Sequence, residues 1–84
     1  MKKYHNWNHI HTALRELGYQ RVATHSEILY YETGDKKVIF EKSNKIDRVF
    51  VEMICANIGI SYEYFVETYE KAYRRDLRQR KERN

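Results

Sequence analysis

The chain has 84 residues, of which 42% are apolar and none is proline, so its composition is that of one folded domain with a small core. Its net charge of +4 belongs to the C-terminus: residues 1–70 hold nine Lys/Arg against ten Asp/Glu, and residues 71–84 hold seven against two. A single cysteine excludes an intrachain disulfide and a cysteine-based zinc cluster, and no apolar run approaches the roughly 18 residues of a membrane span. We expect one cytoplasmic domain over 1–84, with a polar lead-in at 1–5 and a basic, frayed tail at 78–84.

The first predicted element is a helix. Asn6 or Asn8 can cap its N-terminus, because an Asn side chain accepts a hydrogen bond from a free amide of the first turn. Gly18 is suited to the left-handed residue that follows a helix. An apolar stripe at helical spacing lies between these signals and consists of Ile10, Leu14 and Leu17.

Three strands follow. Residues 19–25 are rich in β-formers, and residues 27–33 and 37–42 are two further runs of Ile, Leu, Val, Tyr and Phe. Gly34-Asp35 between the last two runs predicts a tight two-residue turn, because glycine tolerates a positive φ. Alternation predicts that Ile28 and Tyr30 share a face with Val38 and Phe40, opposite Leu29, Tyr31 and Ile39.

Two helices complete the chain. The second is predicted to start at Ser43 or Asn44 and to end at Gly59. Its broad apolar face is formed by Ile46, Val49, Phe50, Met53, Ile54 and Ile58 and is widened by Val51 and Cys55. Ser61 is predicted to cap the third helix, whose apolar stripe of Phe65, Val66, Tyr69, Tyr73 and Leu77 thins toward its end. The predicted fold is therefore α+β: a three-stranded antiparallel sheet in α-β-β-β-α order with helices on one face, plus a C-terminal helix.

The segments ALRELGYQRV, the strand pair around Gly34-Asp35 and VEMICANIGIS followed by YEYF resemble the HicA-type mRNA-interferase toxins over roughly residues 10–65. That resemblance implies a fold like that of double-stranded-RNA-binding domains, RNA as a partner and a cognate antitoxin. The family's catalytic histidine follows a Gly-Ser pair before the second strand. Here the matching stretch is Ala23–Glu27, where Glu27 occupies the histidine's place and His25 lies nearest.

His25 is accordingly the candidate catalytic residue. A neutral imidazole can take a proton from a ribose 2′-hydroxyl or give one to the leaving oxygen, without a metal or another cofactor. The alternative is an ordinary exposed histidine at a strand edge. The candidate phosphate-binding cations are Arg21, Lys36 and Lys37 near the sheet and Arg74, Arg75 and Arg78 on the C-terminal helix.

Two other patterns in the sequence bear on function. His5 and His9 are four residues apart, but no carboxylate on that helix face completes a metal site, and we expect none. Residues 51–68 have helix-turn-helix spacing, although the second helix would offer Glu63 and Glu67 to DNA.

The first functional hypothesis is a small bacterial or phage RNA-binding protein, either an endoribonuclease toxin or a relative that has lost catalysis. The alternatives are a helix-turn-helix DNA-binding protein, or a non-enzymatic protein that binds another protein or a second copy of itself.

Overall fold

A computed structural model describes the backbone of residues 3–83 and the side chains of residues 3–79. It is an α+β structure, as predicted. The elements in chain order are β1 (Tyr4–His5), α1 (Trp7–Glu16), β2 (Gln20–His25), β3 (Ile28–Thr33), β4 (Lys36–Glu41), β5 (Ile46–Asp47), α2 (Arg48–Ile58) and α3 (Tyr62–Arg83).

The main sheet is antiparallel, with the strand order β2-β3-β4. Each of its two turns contains two residues and begins with a positive φ, which is 56° at Gly34 and 58° at Ser26. Glycine adopts such a φ without cost, whereas serine pays a steric penalty. The turn predicted at Gly34-Asp35 is confirmed, and the preceding turn repeats its form without a glycine.

The register corrects the predicted pairing of side chains across β3 and β4. Leu29 is opposite Phe40 and Tyr31 is opposite Val38, so these four residues share one face, and all four are buried. Ile28, Tyr30 and Ile39 lie on the other face, where Ile39 is 54% exposed. The alternation within each strand is as predicted. The error lay in matching the strands, because a two-residue turn pairs Thr33 with Lys36 and thereby sets every later pair.

The buried face of the sheet packs against α1, which is positioned by its caps. The Asn6 side chain accepts a hydrogen bond of 2.8 Å from the amide of Asn8, which confirms Asn6 as the N-cap. Gly18 follows the helix with a φ of 94°. Ile10, Ala13 and Leu14 are at most 1% exposed and belong to the core shared by α1, the sheet, α2 and α3.

The N-terminal segment is more structured than the predicted polar lead-in. Tyr4 and His5 pair with Asp47 and Ile46 in a separate two-stranded sheet, and the His5 side chain is 1% exposed. Because Ile46 is in this strand, α2 begins at Arg48 rather than at Ser43 or Asn44.

The buried face of α2 also differs from the predicted one. The buried residues of α2 follow the helical spacing i, i+3, i+4, i+7. Val49, Phe50 and Met53 lie outside this face, with exposed fractions of 67%, 39% and 60%. Burial raises the pKa of the Cys55 thiol to about 11, which fits a small buried side chain that stays protonated. The buried residues of α2 are Val51, Ile54, Cys55 and Ile58.

The turn from α2 to α3 follows the prediction. Gly59 ends α2 in the left-handed conformation, with a φ of 81°, and the Ser61 hydroxyl accepts a hydrogen bond from the amide of Tyr64. α3 then continues to Arg83, through most of the segment predicted to fray at 78–84. Within its described side chains, residues 62–79, the buried ones are Phe65, Tyr69 and Ala72, and Leu77 is 57% exposed.

Among the described residues, no single helix is long and apolar enough to cross a membrane. Only α2 and α3 taken together satisfy that criterion of length and composition, and the pair is bent by 98° at the turn that joins it.

Candidate nucleic-acid interface

The contact between α1 and the sheet contains a polar pair that sequence reasoning missed. The Nδ1 atom of His11 lies 2.5 Å from the hydroxyl of Tyr31. Tyr31 is fully buried and its ring stacks on Phe40 at 5.4 Å, so the hydroxyl is held in one place. His11 is half-buried, with one side toward this hydroxyl and the other toward a surface groove.

Two arginines are positioned beside this pair by elementary geometry. Arg15 follows His11 by four residues on α1, which places both on one side of the helix. Arg21 is the partner of Tyr31 across β2 and β3, so it shares the face of the sheet on which α1 packs. Both guanidinium groups are exposed, and none of the ion pairs among the described residues involves either one.

The electrostatics agree with this geometry. Burial lowers the pKa of His11, and the positive charges of Arg21 and Arg15 lower it further. Burial also raises the pKa of Tyr31, although the same two arginines oppose that effect. At neutral pH the cluster therefore consists of a neutral imidazole, a neutral phenol and two cations that form no ion pair with the other described residues. We call His11, Arg15, Arg21 and Tyr31 the His11 cluster.

The proton positions in the His11 cluster follow from burial. The hydrogen of the Tyr31 hydroxyl is in the protein interior and needs an acceptor, and the imidazole Nδ1 is the acceptor within reach. Tyr31 therefore donates to Nδ1 of His11, and the neutral ring carries its own hydrogen on Nε2. The cluster offers one N–H donor together with two guanidinium forks, a combination suited to the oxygens of a phosphate group.

A groove of about 410 Å³ runs from this cluster to α3. The groove is also lined by Glu16 of α1 and by Ala72, Arg75 and Asp76 of α3. Arg75 forms an ion pair with Glu16 across the two helices. Its pKa is raised first by the hydrogen bond to Glu16 and also by the charge of Asp76. Arg75 is thus committed to neighbouring carboxylates.

The structure places His25, the candidate catalytic residue, at the last position of β2, where it pairs with Ile28. Its side chain is exposed and lies on the open face of the sheet, because Tyr31 and Leu29 occupy the other face. Lys36 and Lys37 pair with residues 33 and 32, at the opposite end of β3. Five residues of extended strand span roughly 17 Å, so these two lysines are not beside His25.

The cations predicted on the C-terminal helix are also dispersed. Arg74 lines a depression together with Glu63, Glu67 and Glu70, an acidic surrounding. Arg78 is exposed further along α3, and Arg75 is paired as described above. Of the six predicted phosphate-binding residues, Arg21 is the one that the structure brings into the His11 cluster.

His5 and His9 form a second polar cluster, on the other side of α1. Their Nδ1 atoms are 3.0 Å apart, the Nε2 atom of His5 is 2.5 Å from the Tyr62 hydroxyl, and the His9 ring stacks on Tyr69 at 4.4 Å. Within residues 3–79 no group of three His, Cys, Asp or Glu side chains is arranged to hold a metal ion. These histidines tie β1 and α1 to α3.

The α2-α3 unit has the three-residue turn and the near-perpendicular helices of a helix-turn-helix, with a bend of 98°. The side chains that its second helix would present to DNA include Glu63, Tyr64 and Glu67, all of which are exposed. Carboxylates there repel phosphates, so this surface is poorly suited to DNA.

Comparison with known proteins adds no assignment. No family model, no curated protein and no solved structure matches this chain.

The His11 cluster could have been suspected from two local signals. One is the His-Arg pair at i, i+4 on the first helix, and the other is an arginine within the predicted strand at residues 19–25. Nothing in the sequence indicated that both would meet Tyr31, because that contact joins residues 20 positions apart.

Proposed function

We propose that this protein binds RNA through the surface centred on the His11 cluster. The observation that carries the proposal is the pair of exposed guanidinium groups, Arg15 and Arg21, which flank a neutral imidazole and take part in none of the described ion pairs. Arginines that are not engaged with carboxylates can form charge-assisted, bidentate hydrogen bonds to phosphate groups.

Several features favour RNA over double-stranded DNA. The α2-α3 unit presents acidic side chains where a DNA reader would need neutral or basic ones. The likeness of the sequence to the HicA-type family, and the α+β architecture expected from that likeness, point to RNA as well. An RNA partner would be met in the cytoplasm, where we expect the protein to act.

Binding can be tested with labelled single-stranded RNA and fluorescence polarisation at several salt concentrations. We expect the double substitution Arg15→Gln/Arg21→Gln to weaken binding and to reduce the slope of log Kd against log salt by about 1.4, because each phosphate contact to a single strand contributes about 0.7. The matched control is Lys36→Gln/Lys37→Gln, which removes the same charge from the turn of the β3-β4 hairpin. Equal losses in both double variants would reject the assignment to the His11 cluster.

Endoribonuclease activity is a separate step of the proposal. His25 remains the candidate acid/base residue from the sequence, and His11 is the candidate from the structure, because its neutral ring lies beside the two arginines. Incubation of RNA with the wild type, His25→Ala and His11→Ala variants distinguishes the two. If the wild type does not cleave RNA, catalysis is rejected and the proposal is reduced to RNA binding.

A second candidate function is binding to another protein. It is favoured by the large exposed apolar side chains on the outer face of α2, of which Val49 and Met53 are the most exposed. An antitoxin or a second copy of this chain is the expected partner. Sedimentation analysis of the wild type and of Met53→Glu tests self-association: a concentration-dependent dimer that the variant abolishes would support it, and a monomer in both would exclude the second copy.

A further inference from the structure

The groove beside the His11 cluster is electrically polarised. Where it meets the His11 cluster, its lining carries Arg15 and the Nε2–H donor of His11, and Arg21 lies close by without lining the groove. The rest of the charged lining consists of Glu16 of α1 with Arg75 and Asp76 of α3, whose formal charges sum to −1. A ligand in this groove therefore meets positive charge at the His11 cluster and a net negative charge along the rest of the lining.

This polarity restricts how an RNA strand can enter. A strand that passed along the whole groove would carry one negative charge for each phosphate past the carboxylates of Glu16 and Asp76. Arg75 cannot offset this repulsion, because it is already shared between those carboxylates. A strand that places only its end at the His11 cluster brings fewer phosphates near these carboxylates, since the rest of its phosphates can remain in solvent.

The size and donors of the site fit a strand end. A volume of about 410 Å³ lies in the lower part of the range for small-ligand sites, roughly 300–1,000 Å³. A terminal phosphate monoester carries between about −1.5 and −2 charges and three acceptor oxygens, whereas an internal phosphodiester carries one charge. Two guanidinium forks and an imidazole N–H can contact three oxygens at once.

We propose that the His11 cluster binds the terminal phosphate monoester of an RNA strand, with Arg15, Arg21 and the Nε2–H of His11 as its donors. This inference rests on the proposed RNA binding and names the part of the RNA that is recognised. Tyr31 acts as a positioning residue, because its hydroxyl fixes which ring nitrogen of His11 carries the hydrogen.

The test compares single-stranded RNA of one sequence in three forms: with a 5′-phosphate, with a 3′-phosphate, and with hydroxyl groups at both ends. We expect the wild type to bind one phosphorylated form about tenfold more tightly than the hydroxyl form, since charge-assisted hydrogen bonds to a dianion are stronger than those to a monoanion. Arg15→Gln and Arg21→Gln should each reduce this preference to about twofold or less. Lys36→Gln, an equal loss of charge elsewhere, should retain it. Both arginines are exposed, so the variants should keep the thermal stability of the wild type.

The possible results separate this inference from the proposed function. Equal affinity for all three RNAs would overturn the recognition of the strand end and leave RNA binding intact. Absence of binding to any RNA would reject both. If the Arg15→Gln and Arg21→Gln variants still prefer phosphorylated RNA, the terminal phosphate binds outside the His11 cluster and the inference is overturned. Displacement of the labelled RNA by inorganic phosphate, at the concentration at which phosphorylated RNA binds, would assign the site to free phosphate and overturn the inference.

Discussion

The hydrogen bond between Tyr31 and His11 makes a quantitative prediction. Tyr31→Phe removes only the hydroxyl, and the stack of the ring on Phe40, at 5.4 Å with an interplanar angle of 8°, can remain. A net contribution of about 1 kcal/mol is usual for such a bond, and the histidine left behind is half-buried, so part of the desolvation cost is added. We expect the free energy of unfolding to fall by about 1–2 kcal/mol.

Urea unfolding followed by circular dichroism measures this loss. With a slope of about 1 kcal/mol/M for a domain of this size, the midpoint should fall by about 1–2 M with the slope unchanged. Tyr19→Phe is the matched control: Tyr19 is 5% exposed, and its hydroxyl forms none of the side-chain hydrogen bonds found among the described residues. Its midpoint should change by less than about 0.5 M.

A double-mutant cycle identifies the partner. In a His11→Ala background the Tyr31 hydroxyl has lost its acceptor, so Tyr31→Phe should cost nothing or should stabilise the protein. If Tyr31→Phe is neutral in the wild type, or costs the same with and without His11, the assignment of the hydrogen bond and of the His11 tautomer is refuted.

Three further predictions concern stability. Leu14 is 1% exposed, so Leu14→Ala should lower the free energy of unfolding, measured in urea, by about 2–5 kcal/mol. Leu77 is 57% exposed, so Leu77→Ala should change it by less than about 0.5 kcal/mol, and similar losses in the two variants would contradict the placement of the core. Ser26→Gly should raise the melting temperature, because it removes a penalty of about 1–2 kcal/mol for a φ of 58°, and a lower melting temperature would argue against that turn. In the folded protein the pKa of His11 lies below its ordinary value of 6.5, so the unfolded chain binds more protons than the folded one as the pH falls below 6.5. The stability present above pH 6.5 should therefore be lost as the pH falls through the folded pKa, and His11→Gln should lose less of it. Identical pH profiles of stability for the wild type and His11→Gln would show that His11 is not the cause of the loss.

Local signals predicted the elements well because their causes are local. Asn6, Gly34, Gly59 and Ser61 act on the backbone within one or two residues of themselves, so a cap or a turn can be inferred without knowledge of the rest of the chain. The start of α2 was predicted too early for the opposite reason. Ile46 has an apolar side chain suited to a helix face, but its backbone pairs with His5, 41 positions away in the chain.

The candidate site was predicted only in part for a similar reason. The sequence singled out Arg21 as a cation near the sheet, and it singled out His25 by likeness to a family motif. Which of these residues lies beside carboxylates, an aromatic hydroxyl or open solvent depends on the register of the strands and on the packing of α1. His11 was therefore not distinguished from the other histidines until its contact with Tyr31 was known.

The sequence by itself determined the α+β class, the turn at Gly34-Asp35 and the end of α2 at Gly59, because these depend on the conformational preferences of a few adjacent residues. The tertiary structure alone decided that His11 meets Tyr31 and that His5 meets Tyr62, residues that are 20 and 57 positions apart. The physical reason is that such contacts depend on how whole elements pack, and the same apolar and polar pattern is compatible with several packings until the strand register and the helix positions are set.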